Sequence, residues 1–193
     1  MKVILGSQSP RRRDILTARG AEFTVIVANT DERCEITNPI DFVREVSKRK
    51  AQAISNLCDK SDLVITADTV VAVDNEILGK PCDIDDCRRM INKISGRTHE
   101  VITGVTMCCN DRTVFDCEVT KVTFCKMTQS EIESYISTSE PYDKAGGYAV
   151  QGLASLYISG LEGDYFNVVG LPVNLLYKTL KNEFGIDINA LRA

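Results

Sequence analysis

An apolar strand, a polar turn and a basic helix start follow one another in the stretch VILGSQSPRRR at residues 3–13. Residues 3–5 have the composition of a buried strand. Ser9 is placed as a helix N-cap, and Pro10 fits the first helical position, where its missing N–H costs nothing. Gly20 is placed to end a helix over residues 10–19. The stretch therefore predicts a strand–turn–helix unit at the start of an α/β protein.

Three arginines, Arg11 to Arg13, fall in or near the first turn of this helix. The helix macrodipole already concentrates positive charge there, so each arginine costs roughly 0.3–1 kcal/mol. Together with the free N–H groups of the turn, these cations favour an anion, most commonly phosphate. The alternative is a solvated basic turn on a surface helix.

Length and composition limit the classes of protein that fit. The 193 residues suffice for one substantial domain, or for two small lobes that share a cleft. The net charge of −4 argues against a general binder of nucleic acid polymers. The arginines interrupt any signal peptide, and no apolar run approaches the ~20 residues of a membrane span. We therefore expect a cytoplasmic protein without a membrane partner.

The cysteines predict neither a disulfide framework nor a zinc site. There are eight of them, no two form a C-x-x-C pair, and His99 is the only histidine. Several lie in strand-like runs, so we expect buried free thiols that act as small core residues. A Cys–His nucleophile built on His99 is a disfavoured alternative.

Strand and helix patterns alternate along the first half of the chain, and a β-meander follows. Helices are predicted at 10–19, 39–57, 83–94, 129–138 and 172–184. Strands are predicted at 2–5, 23–27, 63–73, 77–78, 101–109, 114–126 and 155–158, with a short strand ending at 169. The apolar residues of strand 114–126 change from odd to even positions, which predicts a bulge or a bend near Thr120. The pattern predicts an α/β fold with a mixed twisted sheet flanked by helices.

Two charged residues occupy positions where the pattern calls for apolar ones. Lys50 falls on the apolar stripe of helix 39–57, where it is either a functional cation or a lysine that snorkels from the stripe's edge. Asp68 lies inside the apolar run at 63–73. An unpaired carboxylate buried there would cost several kcal/mol. We therefore expect Asp68 to face a cleft, a cation or a metal.

Other polar residues cluster where predicted elements meet. Asp31 and Glu32 lie between a strand and a helix, as oxygen ligands for magnesium often do, although a solvated loop explains them equally well. Lys80 is followed by a stiffening proline, and the glycines at 143–152 allow close backbone approach to a ligand. This inventory of cations, carboxylates and glycine-rich backbone suits phosphoryl chemistry with metal assistance.

Seven short stretches together resemble the Maf family of nucleoside triphosphate pyrophosphatases. They occur in the family order and span nearly the whole chain: LGSQSPRR (5–12), KA (50–51), TADTV (66–70), GKP (79–81), SGRTH (95–99), DKAGGY through QG (143–152) and NVVGLP (167–172). The resemblance implies a single Maf-like domain over residues 1–193. It also implies an elongated α/β fold with a deep central cleft between two lobes, and a homodimer.

The implied reaction is hydrolysis of a nucleoside triphosphate between its α- and β-phosphates, with Mg²⁺ or Mn²⁺ as the divalent cation. By the resemblance Asp68 is the catalytic base, and Lys50 and Lys80 act beside it. Glu32 and Asp68 would hold the metal, although Asp31 stays open as the alternative to Glu32. The residues that would bind substrate are Ser7, Arg11, Arg12, Thr69 and Gln151.

The resemblance also implies a preference for the base. Arg12, Thr69 and Gln151 match the branch of the family that prefers dTTP and UTP, and the Gln151 amide suits the imide edge of uracil or thymine. One alternative is a pyrophosphatase for 7-methyl-GTP or other modified nucleotides. Another is a nucleotide-sensing regulator of cell division.

Overall fold

The computed structural model describes residues 1–187 and contains a mixed seven-stranded sheet with helices on both faces. The strands are β1 (Val3–Leu5), β2 (Thr24–Val25), β3 (Leu63–Val73), β4 (Glu76–Leu78), β5 (Thr98–Cys109), β6 (Arg112–Phe124) and β7 (Ile158–Glu162). The helices are α1 (Pro10–Thr17), α2 (Pro39–Ser55), α3 (Ile84–Ile94), α4 (Gln129–Ile136), α5 (Tyr165–Val169) and α6 (Val173–Phe184). Three 3₁₀ helices lie at Pro141–Asp143, Ala145–Gly147 and Leu153–Tyr157. The predicted α/β fold is confirmed; residues 188–193 of the expected domain lie outside the described residues.

The order of the strands leaves a gap along one edge of β3. The sheet runs β2-β1-β3-β5-β6-β7, and β4 pairs with β3 on the same side as β1. Pairing with β1 ends at Leu5 opposite Ile65, and pairing with β4 begins at Val71 opposite Leu78. Residues 66–70 of β3 therefore have β5 on one side and no strand on the other. Asp68 lies in the middle of this gap.

The two faces of the sheet are covered differently. On one face, α2 packs Val43 against Val70. The other face carries two apolar clusters, one around Ile65, Val105 and Leu176 and the other around Val71, Ile91 and Ile136. Thr69 of β3 and Thr103 of β5 lie opposite each other between these clusters. The clusters form the two lobes of the predicted fold, and polar residues at the gap separate them.

The helix starts that the sequence predicts are present, with one difference in how they are capped. The Asn38 carboxamide oxygen accepts hydrogen bonds from the first turn of α2. Thr128 and Glu131 form the predicted capping box of α4. Ser9 occupies the N-cap position of α1, but its hydroxyl makes no cap hydrogen bond. The N–H groups of that turn are therefore left without this side-chain acceptor.

Two strand predictions are wrong, the strand at 155–158 and the short strand that ends at 169. Residues 153–157 form a 3₁₀ helix, and the strand starts only at Ile158. The next segment is helix α5, whose cap is Asp164, with Oδ1 accepting from the N–H of Phe166 at 2.7 Å. The aspartate cap outweighs the β-propensity of the valines in this short segment.

Of the bulge or bend predicted near Thr120, the bulge is absent from the pairing of β5 with β6. Strands β5 and β6 pair without interruption from Thr98 opposite Thr123 to Cys109 opposite Arg112. The apolar phase changes because the two ends of β6 bury opposite faces. Phe115 packs under α2, whereas Phe124 packs into the cluster on the other face. The register shift in β6 lies at Thr123/Phe124, in its pairing with β7.

The cysteines are free thiols, as expected, but most are not fully buried. Cys87 and Cys109 are buried, Cys82 and Cys125 are exposed, and the other four are intermediate. Turn and strand-end positions such as that of Cys125 face solvent despite their apolar neighbours. No helix within residues 1–187 is long and apolar enough to cross a membrane.

Close packing of α2 on β5 depends on Gly104. A Cβ built there would lie 2.8 Å from both Phe115 Cε2 and Val43 Cγ2. We expect Gly104→Ala to lower the free energy of unfolding by about 1–3 kcal/mol, because this core has no room for another methyl group. Denaturant unfolding measures the change. The matched control is Gly79→Ala, whose Cβ meets nothing within 4 Å; equal effects in the two variants would contradict the packing argument.

Candidate active site

A cavity of about 830 Å³ opens at the gap beside β3. Its walls come from the β1–α1 turn, the segment before α2, α2 itself, β3 and the glycine-rich segment 143–151. The structure brings all nine sequence-predicted site residues to this one cavity: Ser7, Arg11, Arg12, Glu32, Lys50, Asp68, Thr69, Lys80 and Gln151. Its volume lies within the range of small-molecule sites, roughly 300–1,000 Å³.

Two carboxylates and one ammonium group form an ion cluster at the floor of this cavity. Lys50 Nζ lies 2.8 Å from Asp68 Oδ1 and 2.8 Å from Glu32 Oε1. The side chains of Lys50 and Asp68 are only 15% and 14% exposed, so Lys50 turns toward the carboxylates and does not snorkel to solvent. The two charges that break the apolar pattern therefore compensate each other.

Glu32, rather than Asp31, takes part in this cluster. Partial burial of Glu32 opposes its ionisation, but the hydrogen bond and charge of Lys50, with Lys80 further away, hold its pKa below the usual value. Asp31 does not line the cavity, and its Oδ1 accepts from the N–H of Arg33 at 3.0 Å. The geometry thus separates the two neighbouring carboxylates that the sequence leaves open.

Arg12 serves as a clamp that joins α1 to the open edge of β3 and to the segment after α5. Its Nη1 donates to the carbonyl oxygen of Ala67 at 2.8 Å and to Ser7 Oγ at 3.1 Å. Its Nε donates to the carbonyl oxygen of Gly170 at 2.7 Å, and its Nη2 to Thr69 Oγ1 at 3.0 Å. Burial lowers the pKa of this guanidinium, although the charge of Asp68 opposes the shift. Most donors of Arg12 are therefore committed to the protein.

The hydroxyl of Ser7 is left as a hydrogen-bond donor. Its oxygen accepts from Arg12 Nη1 and from the N–H of Ser9 at 3.2 Å, which occupies both lone pairs. The hydroxyl hydrogen has no acceptor within the described residues. A donor at the cavity wall beside a helix N-terminus suits a phosphate oxygen.

The glycine-rich segment lines the cavity and contacts α1. Arg11 Nη1 lies 3.5 Å from Asp143 Oδ2, which joins the helix to this segment. The N–H of Gly146 donates to the carbonyl oxygen of Gly79 at 2.9 Å, next to Lys80. Gly146 has φ +68, and a Cβ there would lie 2.7 Å from Val71 Cγ2. Only glycine fits this approach to β3.

Glu140, which no sequence pattern singles out, holds the turn after Gln151. Its carboxylate accepts from the N–H of Leu153 at 2.7 Å, the N–H of Ala154 at 3.2 Å and the hydroxyl of Tyr135 at 3.0 Å. Gln151 itself is exposed, and its amide has no partner within residues 1–187. A glutamate just before a glycine-rich segment is a weak signal, because sequence does not show which backbone groups it reaches.

His99 supports the cavity wall through Tyr148. Its Nε2 lies 2.6 Å from the hydroxyl oxygen of Tyr148, a residue that lines the cavity. His99 is 2% exposed, and its ring packs against Phe124 and Tyr148. Burial lowers its pKa to about 4. The imidazole is therefore neutral near pH 7 and acts as a structural partner of Tyr148.

The fold and the cavity define an α/β protein with a cation-lined cleft of ligand size at a break in its sheet. The chain belongs to the Maf family, because the family profile described as Maf-like protein matches residues 2–183.

Curated relatives agree over nearly the full chain. The protein named "dTTP/UTP pyrophosphatase" from Thermoanaerobacter sp. (strain X514) is 43% identical to this chain. The match covers 97% of this chain and 100% of the relative. The relative of that name in Lachnoclostridium phytofermentans is 44% identical, with 97% of each chain covered. "The structure of the Staphylococcus aureus Ham1 protein" superposes with a TM-score of 0.53 at 14% identity, covering 95% of this chain and 100% of that one, which is a likeness of fold.

The buried imidazole makes stability depend on pH. Above pH 6.5 His99 is neutral in both the folded and the unfolded chain. As the pH falls from 6.5 to about 4, only the unfolded chain takes up the proton on His99. Over this range the free energy of unfolding therefore falls by up to about 1.4 kcal/mol per pH unit, or about 3 kcal/mol in total. Denaturant midpoints at several pH values, compared with those of His99→Gln, measure the contribution. An NMR titration of His99 with a midpoint near 6.5 would contradict it.

The clamp predicts that lysine cannot replace Arg12. An ammonium group cannot reach the four spread acceptors, so we expect Arg12→Lys to lower the free energy of unfolding by about 3 kcal/mol. Thermal and denaturant unfolding report this loss. The neighbouring Arg13 is exposed, and Arg13→Lys should leave stability unchanged. Equal stability of the two variants would show that the clamp is dispensable.

Proposed function

We propose that this chain hydrolyses nucleoside triphosphates, principally dTTP and UTP, to the monophosphate and pyrophosphate, as a house-cleaning enzyme of nucleotide pools. The observation that carries the proposal is the Glu32–Lys50–Asp68 cluster inside a cation-lined cavity of about 830 Å³. Full-length relatives named "dTTP/UTP pyrophosphatase" support the reaction and the choice of base.

The donor set of the cavity fits a divalent cation, Mg²⁺ or Mn²⁺. Glu32 and Asp68 already direct carboxylate oxygens at one cationic atom, the Nζ of Lys50. Within residues 1–187 no three His, Cys, Asp or Glu side chains gather as a complete protein cage. Two carboxylates suit a cation that takes its other ligands from substrate phosphates and water. Such a cation would supply charge that stabilises the phosphates and lowers the pKa of nearby water.

The proposed catalytic step uses Asp68 as the general base. A water oxygen attacks the α-phosphorus while the Asp68 carboxylate accepts the water's proton. The bond from the α-phosphorus to the bridging oxygen breaks, and pyrophosphate leaves with the electron pair. Lys50 keeps Asp68 oriented through the 2.8 Å hydrogen bond and adds positive charge next to the reacting phosphate.

The remaining polar groups would bind the substrate. Arg11 and Lys80 line the cavity and would neutralise the triphosphate and the leaving pyrophosphate, while Ser7 would donate its free hydrogen to a phosphate oxygen. Gln151 would read the base through its unpartnered amide. Arg12 would act mainly through the hydroxyls of Ser7 and Thr69 that it holds.

The same proposal covers the organisation of the protein. A continuous sheet and a family match over residues 2–183 support one catalytic domain over residues 1–193. A homodimer rests on the family resemblance alone. A cytoplasmic location suits eight cysteines that remain free thiols.

Pyrophosphate release from dTTP, UTP, CTP and 7-methyl-GTP with Mg²⁺ or Mn²⁺ tests the reaction. We expect Asp68→Asn and Lys50→Ala to lower kcat by about 100-fold or more while the protein stays folded, because each removes a group next to the reacting phosphate. Lys48→Ala, an exposed lysine on the same helix, is the control and should keep full activity.

Each outcome separates the candidate functions. Near-normal turnover in both variants would overturn the roles of Asp68 and Lys50. Turnover of 7-methyl-GTP alone would keep the chemistry and overturn the choice of base. Tight binding of a nucleotide without any pyrophosphate release would favour a nucleotide-sensing regulator.

A further inference from the structure

We propose that Thr103 is a positioning residue for base recognition: it holds the Thr69 hydroxyl as a hydrogen-bond acceptor aimed at the N3–H of uracil or thymine. The inference rests on the proposed function and names a residue outside the cavity lining. Thr103 is fully buried on β5, directly opposite Thr69 on β3.

The Thr103 hydroxyl has two close neighbours, and only one of them can donate to it. Thr103 Oγ1 lies 2.9 Å from the carbonyl oxygen of Asn167, and a carbonyl oxygen can only accept. Thr103 Oγ1 also lies 2.9 Å from Thr69 Oγ1. Because the only hydrogen of the Thr103 hydroxyl is used in the hydrogen bond to Asn167, Thr69 is the donor in this second hydrogen bond.

Arg12 removes most of the remaining freedom of Thr69. A guanidinium group can only donate, and Arg12 Nη2 donates to Thr69 Oγ1 at 3.0 Å. The Thr69 hydroxyl then donates its hydrogen bond to Thr103 and accepts one from Arg12 with one of its two lone pairs. One lone pair is left for a ligand in the cavity that Thr69 lines. Toward a ligand, Thr69 is therefore an acceptor only.

The carbonyl oxygen that fixes Thr103 is itself held in place. Asn167 is fully buried, and its Nδ2 donates to the carbonyl oxygen of Val101 and to Thr120 Oγ1, each at 2.9 Å. If Thr103 donated elsewhere, its oxygen and the carbonyl oxygen of Asn167 would face each other at 2.9 Å with no hydrogen between them, which is unfavourable in an apolar interior even though this carbonyl also accepts from the N–H of Gly170 at 3.0 Å. The direction of the whole chain of hydroxyls is thus set from inside the protein.

An acceptor-only group discriminates between pyrimidines by the proton at N3. Uracil and thymine carry N3–H, which can donate to the free lone pair of Thr69. Cytosine has an unprotonated N3, which would place two lone pairs against each other. A buried polar contact that matches one base and opposes the other gives more discrimination than shape alone.

The test is the ratio of kcat/KM for UTP to that for CTP in Thr103→Val and Thr103→Ser. Valine keeps the shape of threonine but frees the Thr69 hydroxyl to donate to cytosine N3. We expect Thr103→Val to lower the UTP/CTP ratio by about tenfold, the scale of one hydrogen bond. Thr103→Ser retains the hydroxyl and should keep the ratio of the unmodified protein.

Thr106→Val is the matched control. Thr106 lies on the same strand, is equally buried, and its hydroxyl lies 2.8 Å from Ser47 Oγ, without contact to Thr69. We expect this variant to lose stability comparably while the UTP/CTP ratio stays unchanged. Thermal unfolding of both valine variants measures the structural cost separately from the ratio.

An unchanged ratio in folded Thr103→Val, or an equal loss with both nucleotides, would overturn the positioning role. If this variant does not fold, the alternative test is the kcat/KM of the unmodified protein for N3-methyl-UTP, which has no N3–H. We expect its kcat/KM to be at least about tenfold below that of UTP, with dTTP still accepted; turnover equal to UTP would overturn the inference. Absence of pyrophosphate release from UTP and dTTP in the unmodified protein would instead refute the proposed function.

Discussion

Strand β3 loses its neighbour on one side between Ile65 and Val71, and an arginine takes the neighbour's place. Arg12 satisfies the carbonyl oxygen of Ala67 on the open edge and donates to the carbonyl oxygen of Gly170, which follows α5. A sheet edge left open inside a protein would otherwise expose unpaired backbone groups. The clamp therefore supplies a donor to one carbonyl oxygen of the open edge and ties α1 to β3 and to the segment after α5, beside the cavity.

The alternation of side chains along β3 divides the site between the two faces of the sheet. Asp68 points to the face covered by α2, where Lys50 meets it, whereas Thr69 points to the face that carries the two apolar clusters. Because both residues lie in the gap, one cavity reaches both. The proposed catalytic base and the proposed base-recognition residue are therefore neighbours on a single strand.

Part of this arrangement was predictable from local sequence signals. The Ser9–Pro10 helix start and the charges of Asp68 and Lys50 in apolar patterns marked the site before any fold was known. Helix α5, which replaces a predicted strand, and the contacts of Glu140 were not predictable, because the contacts that decide them join residues distant in sequence. Periodicity reports only which face is apolar, so it cannot distinguish a bulge in β6 from a regular strand whose two ends bury opposite faces.

The sequence by itself determined the class of fold, the cluster of cations and carboxylates and the family, since strand and helix periods and family motifs are local properties of the chain. The tertiary structure alone decided that Glu32 and not Asp31 joins Lys50, and that Arg12 acts as a clamp. It also set the direction of the hydroxyls from Thr69 to Asn167. Hydrogen-bond direction depends on which donors and acceptors meet in space, and residues up to 158 positions apart meet at this gap.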